Sequence, residues 1–232
     1  MIGLIGKKLG MMRVFLNDGT AIPVTAIKVE PNYVVYIKSS ETDGYNAIQV
    51  GSIPLKQSRF KKPMVGHFKK ANLTPLKYLK EFRVDDVSSF ALGQELGVDI
   101  FSPGDLVDIV GRSKGRGFTG TMKRWDFGGF PKSHGHRYHR AVGSVGNRTD
   151  PGRVWKSKRM AGRHGNETIR VQALLVVDVL KDKGIILVKG SVPGHKDGIV
   201  YIEKSHIAFR KKAQRKHERL SFIPSNLLRQ EV

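Results

Sequence analysis

Between Leu106 and Leu174 the chain contains no leucine, and this gap holds most of its positive charge. Residues 111–170 carry 15 Lys or Arg against 3 Asp or Glu, which is +12 of the chain's formal +21. The same stretch has 12 Gly and 4 His, and its branched aliphatic residues are Val142, Val145, Val154 and Ile169. Fixing one residue's backbone costs roughly 1–2 kcal/mol, and this segment has little apolar surface with which to offset that. It is not of low complexity, because Trp125, Phe127, Phe130, Tyr138 and Trp155 punctuate it. A basic, glycine-rich, aromatic-spiked insert is expected to order against a polyanion rather than against a core of its own.

The flanks differ from the insert. Residues 1–110 have a net charge of +3, residues 171–202 of +1 and residues 203–232 of +5. This partition predicts a nearly neutral globular body from 1–110 and 171–202, an extended loop inserted at 111–170, and a basic C-terminal tail at 203–232. The body is large enough for one core. A pI near 10.3 calls for an anionic partner, nucleic acid before a membrane surface. Apolar runs such as Leu174–Val177 and Ile185–Val188 are far short of a spanning helix. Met1–Leu9 has the wrong order and length for a secretory signal. The absence of cysteine excludes disulfides, thiolate metal sites and cysteine nucleophiles, and is compatible with a reducing cytoplasm.

The body reads as β structure. Met11–Phe15, Thr20–Val29, Tyr33–Lys38, Ala47–Ile53, Leu79–Val84, Gly97–Phe101, Leu106–Val110, Val171–Leu180, Gly184–Lys189 and Ile199–Ile202 are short strand candidates. Asn17-Asp18-Gly19, Asp43-Gly44 and Asp182-Lys183-Gly184 supply turn residues that tolerate positive φ. Without βαβ alternation, the expected fold is mainly β: an antiparallel, closed or partly closed β-barrel body with a long basic glycine-rich loop extension and little helix. The helical candidates are one or two turns within Phe118–Trp125, a short turn at Gly66–Ala71 beneath Lys61, Lys62, Lys69 and Lys70, and a basic helix over 204–220.

Three constellations in the insert invite specific chemistry. Gly115, Gly117 and Gly120 have dinucleotide-loop spacing, but the acidic residue such a site needs about 20 positions on is missing. Arg112, Lys114, Arg116, Lys123 and Arg124 crowd those glycines, which fits phosphate approach to nucleic acid better than a small cofactor. His134, His136 and His139 could meet one zinc, which makes a metal-dependent hydrolase a rival reading. Arg137 and Arg140 oppose a cation there, and imidazoles in a basic loop more often bond phosphates or stack on bases. Gly143-Ser144-Val145-Gly146 lacks the partners of a nucleophile elbow, and the carboxylates are too few for paired acid–base work. No catalysis, metal or cofactor is therefore expected. The remaining rival is a generic architectural nucleic-acid-binding module. Trp125 and Trp155 could stack on bases or pack on the body's outer face. In the tail, Arg210, Lys211, Lys212, Arg215, Lys216, His217 and Arg219 suggest a second polyanion contact, and Leu220–Leu228 a surface that docks on a protein neighbour.

A more specific signal comes from the spacing of Phe101, Asp108, Gly111, Ser113, Gly115-Arg116-Gly117, Gly120 and Arg124. It continues through Lys123-Arg124-Trp125, Ser133-His134-Gly135, His139-Arg140, Gly143-Ser144-Val145-Gly146, Pro151-Gly152-Arg153-Val154 and Met160-Ala161-Gly162. The opening, Met1 to Met11, and the late Val188-Lys189-Gly190-Ser191-Val192-Pro193-Gly194 agree as well. From residue 1 to about 202 the chain resembles the large-subunit ribosomal protein L-three family, and its length resembles the bacterial or organellar branch.

This resemblance implies a structural, non-enzymatic constituent of the large ribosomal subunit in the cytoplasm or an organelle. Its partners would be 23S-type rRNA, bound near the 3′ end early in assembly, and neighbouring ribosomal proteins. It implies no membrane, no small-molecule substrate and no homo-oligomer. A β-barrel body would seat on the ribosome surface while the loop enters the RNA toward the peptidyl-transferase centre. Carried over by motif, the innermost tip is Gly143–Pro151, with Ser144, Asn147, Arg148, Thr149 and Asp150. The RNA-lining residues are Arg112, Lys114, Arg116, Lys123, Arg124, Trp125, His134, His136, Arg137, His139, Arg140, Arg153, Lys156, Lys158, Arg159, Arg163 and His164. Some bacterial relatives carry a methylated glutamine at the tip. No Gln lies between Gly143 and Arg153, so that modification should be absent. The tail beyond about Glu203 exceeds the family pattern and inherits no role from it.

Overall fold

The computed structural model describes residues 2–16 and 19–205. The chain divides into two compact units, one built up to Arg112 and from Thr168 onward, the other from Ser113–Glu167.

Among the described residues the first unit holds ten strands: β1 (Gly3–Phe15), β2 (Ala21–Lys28), β3 (Asn32–Lys38), β4 (Ala47–Pro54), β5 (Leu76–Arg83), β6 (Glu95–Leu96), β7 (Leu106–Arg112) and, after an insert that carries β8 (Phe118–Thr119) and β9 (Gly162–Arg163), β10 (Thr168–Leu180), β11 (Ile185–Lys189) and β12 (Ile199–Lys204). Six strands close an antiparallel barrel in the order β1-β12-β7-β10-β11-β2, so no edge is left open. The order β5-β4-β3-β6 forms a second, four-stranded antiparallel sheet. Ile27, Val107, Ile109, Ile186 and Ile202 from the barrel and Val34, Ile48, Val50 and Phe82 from the second sheet belong to one buried cluster. The expected mainly β, closed-barrel class is the observed one.

Close approach explains why β1 begins at Gly3, eight residues before the strand predicted at Met11. A Cβ on Gly3 would lie 2.3 Å from a ring carbon of Phe82, and one on Gly6 would lie 2.7 Å from Ile27. The glycines that weaken the strand signal are the ones that let β1 pass beneath its neighbours. Buried Asn32 then ties β1 to the start of β3. Its side-chain oxygen accepts from Ile5 N–H at 2.9 Å, and its amide donates to Ile5 O at 3.2 Å.

Other expectations shift. The strand predicted at Gly97–Phe101 is a 3₁₀ turn at Val98–Ile100, with Phe101 N–H closing on Val98 O. Its apolar residues enter the core from a turn, because the outer edge of β3 is already taken by β6. Instead of a short turn at Gly66–Ala71 there is a nine-residue helix, α2 (Lys62–Lys70), preceded by the single-turn α1 (Ser40–Asp43). Pro63 is tolerated in the first turn of α2, where backbone N–H groups have no helical partner. The 182–184 turn takes the expected form, with Gly184 at φ 62°. The Asn17-Asp18 turn residues and the tail from His206 onward lie outside the described residues, and with them the basic helix expected at 204–220 beyond the strand residue Lys204. Among the described residues no helix is long and apolar enough to cross a membrane.

Candidate nucleic-acid interface

The chain leaves the barrel at Arg112 and re-enters it at Thr168, and these two residues are register partners across β7 and β10. Between them the second unit opens as a ladder. Ser113 N–H donates to Glu167 O at 2.9 Å, Arg116 N–H to His164 O at 2.9 Å, and His164 N–H to Gly117 O at 2.9 Å. Strand β8 (Phe118–Thr119) pairs with β9 (Gly162–Arg163). Gly165, at φ 72°, permits the crossing: a Cβ there would stand 2.1 Å from Lys114 O. Gly115 and Gly117 therefore belong to a hairpin base, and Gly120 precedes the short helix α3 (Thr121–Trp125). Phe118–Trp125 is thus split into strand, cap and helix.

At the end of α3 the two arms are tied together by one carbonyl. Arg124 Nη1 donates to Met160 O at 3.0 Å, and Trp125 Nε1 donates to the same oxygen at 2.9 Å. The guanidinium groups of Arg124 and Arg159 lie 4.9 and 5.4 Å from the Trp125 ring. A Cβ on Gly162 would lie 2.4 Å from Arg124 Nη1, so glycine there admits the arginine. Neither use expected for Trp125 anticipates this clamp. Both partners stand in motifs singled out by spacing, but no sequence rule pairs residues 35 positions apart. Trp155 is exposed, with Arg153 5.4 Å from its ring.

The histidines are engaged locally. The His136 ring stacks on Phe130, with centroids 4.4 Å apart and an interplanar angle of 14°. The His139 Nδ1 lies 2.9 Å from Pro131 O, and His134 is exposed at φ 63°. Among the described residues no three or more His, Asp or Glu gather as a metal site would require.

Ser113–Glu167 contains thirteen Lys or Arg against three acidic residues. Among the described residues no ion pair involves any of these thirteen. Lys114, Arg116, Lys123, Arg137, Arg140, Arg153, Lys156, Lys158, Arg159 and Arg163 are exposed, while Arg124, His136 and His164 are half-buried. Arg112 is exposed at the end of β7, in the other unit. Ser144, Asn147, Arg148, Thr149 and Asp150 are all exposed. So many unneutralised cations within one small unit repel one another, and bound polyanion would relieve that repulsion.

Comparison with known proteins agrees with this charge pattern. Residues 82–182 match the family described as Ribosomal protein L3. The chain is 98% identical to the large ribosomal subunit protein uL3 of Hydrogenobaculum sp. (strain Y04AAS1) over 232 residues, covering all of both chains. It is 61% identical to the uL3 protein of Aquifex aeolicus (strain VF5), covering 99% of this chain and 96% of that one. The chain belongs to the ribosomal protein L3 family. The family is structural and non-enzymatic, which removes the hydrolase reading. A more distant uL3 protein, from Brachyspira pilosicoli, is 49% identical over 94% of this chain and 98% of its own length.

Proposed function

We propose that the chain is a structural constituent of the large subunit of cytoplasmic ribosomes and binds large-subunit rRNA through Ser113–Glu167. The observation that carries the reading is the thirteen-to-three excess of basic over acidic residues in that unit, its cations unpaired among the described residues and mostly exposed. Each phosphate contact releases condensed counterions, so affinity comes from charge and the fold positions it. The deep major groove of A-form RNA is closed to side chains. Contacts therefore go to phosphates, sugars and unstacked bases, for which Trp155, Tyr138 and the exposed imidazoles are suited. The hairpin base and the Met160 clamp hold the two arms together, and the exposed tip from Ser144 to Asp150 extends toward the peptidyl-transferase centre. Binding near the rRNA 3′ end early in assembly, with neighbouring ribosomal proteins, follows from the family reading.

Titrating the full chain into transcribed large-subunit rRNA at several salt concentrations tests the reading. A log–log slope of about −5 or steeper is expected for six or more phosphate contacts. Replacing Arg153, Lys156, Lys158 and Arg159 with Gln should flatten it by about 3. An unchanged slope in that variant would remove the insert from the interface.

A further inference from the structure

The insert does not hold all of the concentrated charge. From Gly44 to Lys80 there are eight Lys or Arg and no Asp or Glu, although residues 1–110 as a whole are nearly balanced. Six of the eight, Lys56, Arg59, Lys61, Lys62, Lys69 and Lys70, lie on or next to α2, and all six are exposed. None of these six is ion-paired among the described residues.

The inner face of α2 is accounted for by packing. Phe68 is fully buried with Val35 and Leu76, and Phe60 and Leu79 pack against that cluster. His67 reaches Gln49 of β4 at 2.7 Å. The outer face presents Lys62, Gly66 and Lys69, spaced i, i+4 and i+7, beside a shallow groove that Ser58, Phe60 and Val65 also line. Gly66 is the informative residue. It lies mid-helix, where glycine is less stable than alanine. Its φ is ordinary, and a Cβ there would meet nothing within 4 Å. Among the described residues nothing requires glycine at that position, and helix stability disfavours it. What a bare backbone offers at an exposed helical position is room for close approach by a partner. Two lysines two turns apart, about 10 Å along the axis, flank the bare stretch of backbone.

We propose that this outer face of α2 is a second RNA site, in which the sugar–phosphate backbone of folded RNA lies across Gly66 between Lys62 and Lys69. Lysine is depleted in protein–protein interfaces, whereas compact ammonium groups on flexible stems suit phosphates. The site lies in the barrel-containing unit and does not depend on the reading of the insert.

The full chain is titrated with transcribed large-subunit rRNA at several salt concentrations, with Lys28→Gln as a control for loss of one exposed cation elsewhere. Lys62→Gln with Lys69→Gln should flatten the log–log slope by about 2. Gly66→Leu should weaken binding at least tenfold while its thermal midpoint stays equal to or above that of the parent. These results are expected whether or not the insert variants change the slope. Slopes and affinities matching the Lys28→Gln control would overturn the site. So would unchanged RNA binding together with loss of a neighbouring protein from assembled subunits, which would assign the face to a protein.

Discussion

The Trp125 indole N–H and the Met160 carbonyl oxygen meet at 2.9 Å across 35 positions of chain, closing residues 126–159 into a sub-loop that contains the exposed tip. Arg124 donates to the same oxygen, so the junction has two donors and one acceptor. Trp125→Phe keeps a ring for Arg124 and Arg159 but removes one donor. A hydrogen bond of this kind contributes about 1 kcal/mol, or roughly a fivefold change in an opening equilibrium. Exchange of the Arg124 and Asp126 amides, bonded to Gly120 O and Met122 O, should accelerate by about that factor. Amides of β7 should not change. Equal acceleration in β7 would mean that the bond supports the whole protein rather than the sub-loop.

The glycine at the start of β1 should be intolerant of any side chain. In Gly3→Ala the new methyl would stand 2.3 Å from the Phe82 ring, which is itself buried. Overpacking of this kind costs roughly 1–3 kcal/mol. The thermal midpoint should fall by several degrees, and Phe82→Leu in the same chain should restore part of it. Two losses that simply add would show that the clash is relieved elsewhere.

Asp108 is buried in β7 and serves the bulge of β10. It accepts from Ala173 N–H at 2.9 Å and from Arg170 Nη1 at 3.3 Å, while Arg170 also reaches Glu203 at 2.7 Å. Ala173 holds φ 53°, a left-handed conformation that costs an L-residue roughly 1–2 kcal/mol. Two opposite outcomes should follow in urea denaturation. Asp108→Ala leaves the Ala173 N–H without this acceptor and should destabilise by about 2–4 kcal/mol. Ala173→Gly should stabilise by up to about 1 kcal/mol. A destabilised Ala173→Gly would show that the methyl packs usefully.

These sites mark where sequence reading succeeds and where it stops. The barrel strands were legible because Val, Ile and Thr runs alternate with turn residues that tolerate positive φ, as at Gly184. The insert was legible by charge and by its missing leucines. β1 before Met11 was hidden, because Gly3, Gly6 and Gly10 lower strand propensity, the first two for reasons of three-dimensional contact. α2 was hidden by Pro63 and Gly66, which read as breakers although one occupies the first turn and the other faces outward. The Trp125–Met160 junction was invisible, since a side-chain bond to a backbone carbonyl carries no compositional signal.

Acid should weaken the second sheet through Glu81. Lys38, bonded to Glu81 at 2.9 Å and also to Tyr45, holds the Glu81 carboxyl below its usual range, and Tyr45 adds a further hydrogen bond. A depressed folded pKa gives stability that is present above the unfolded value, about 4.3, and lost as pH falls through the lower folded value. The Lys38 ammonium is shifted upward by Tyr45 and Glu81, so its contribution persists through neutrality and fades only in strong alkali. In denaturant titrations the parent should be more stable than Glu81→Gln at pH 7, and the gap should narrow as pH falls below about 4.3. A constant gap across that range would mean that the carboxylate does not titrate with folding.

Arg112 and Thr168 are register partners, so the strands flanking the insert already lie side by side. Replacing Ser113–Glu167 with Asn-Gly would leave a two-residue hairpin connection of the kind that antiparallel strands accept. The barrel core draws its buried side chains from strands outside the insert, among them Val107, Ile109, Val176, Ile186 and Ile202. Shortening a connection of this length lowers the entropy of closing it by at most about 3 kcal/mol. The shortened chain should therefore fold, with a thermal midpoint equal to or above that of the parent. It should lose most of its affinity for transcribed large-subunit rRNA, keeping only the part contributed by α2. A shortened chain that is unfolded by circular dichroism would show that the insert supports the barrel. One that binds RNA with the parent's salt slope would move the whole interface onto the body.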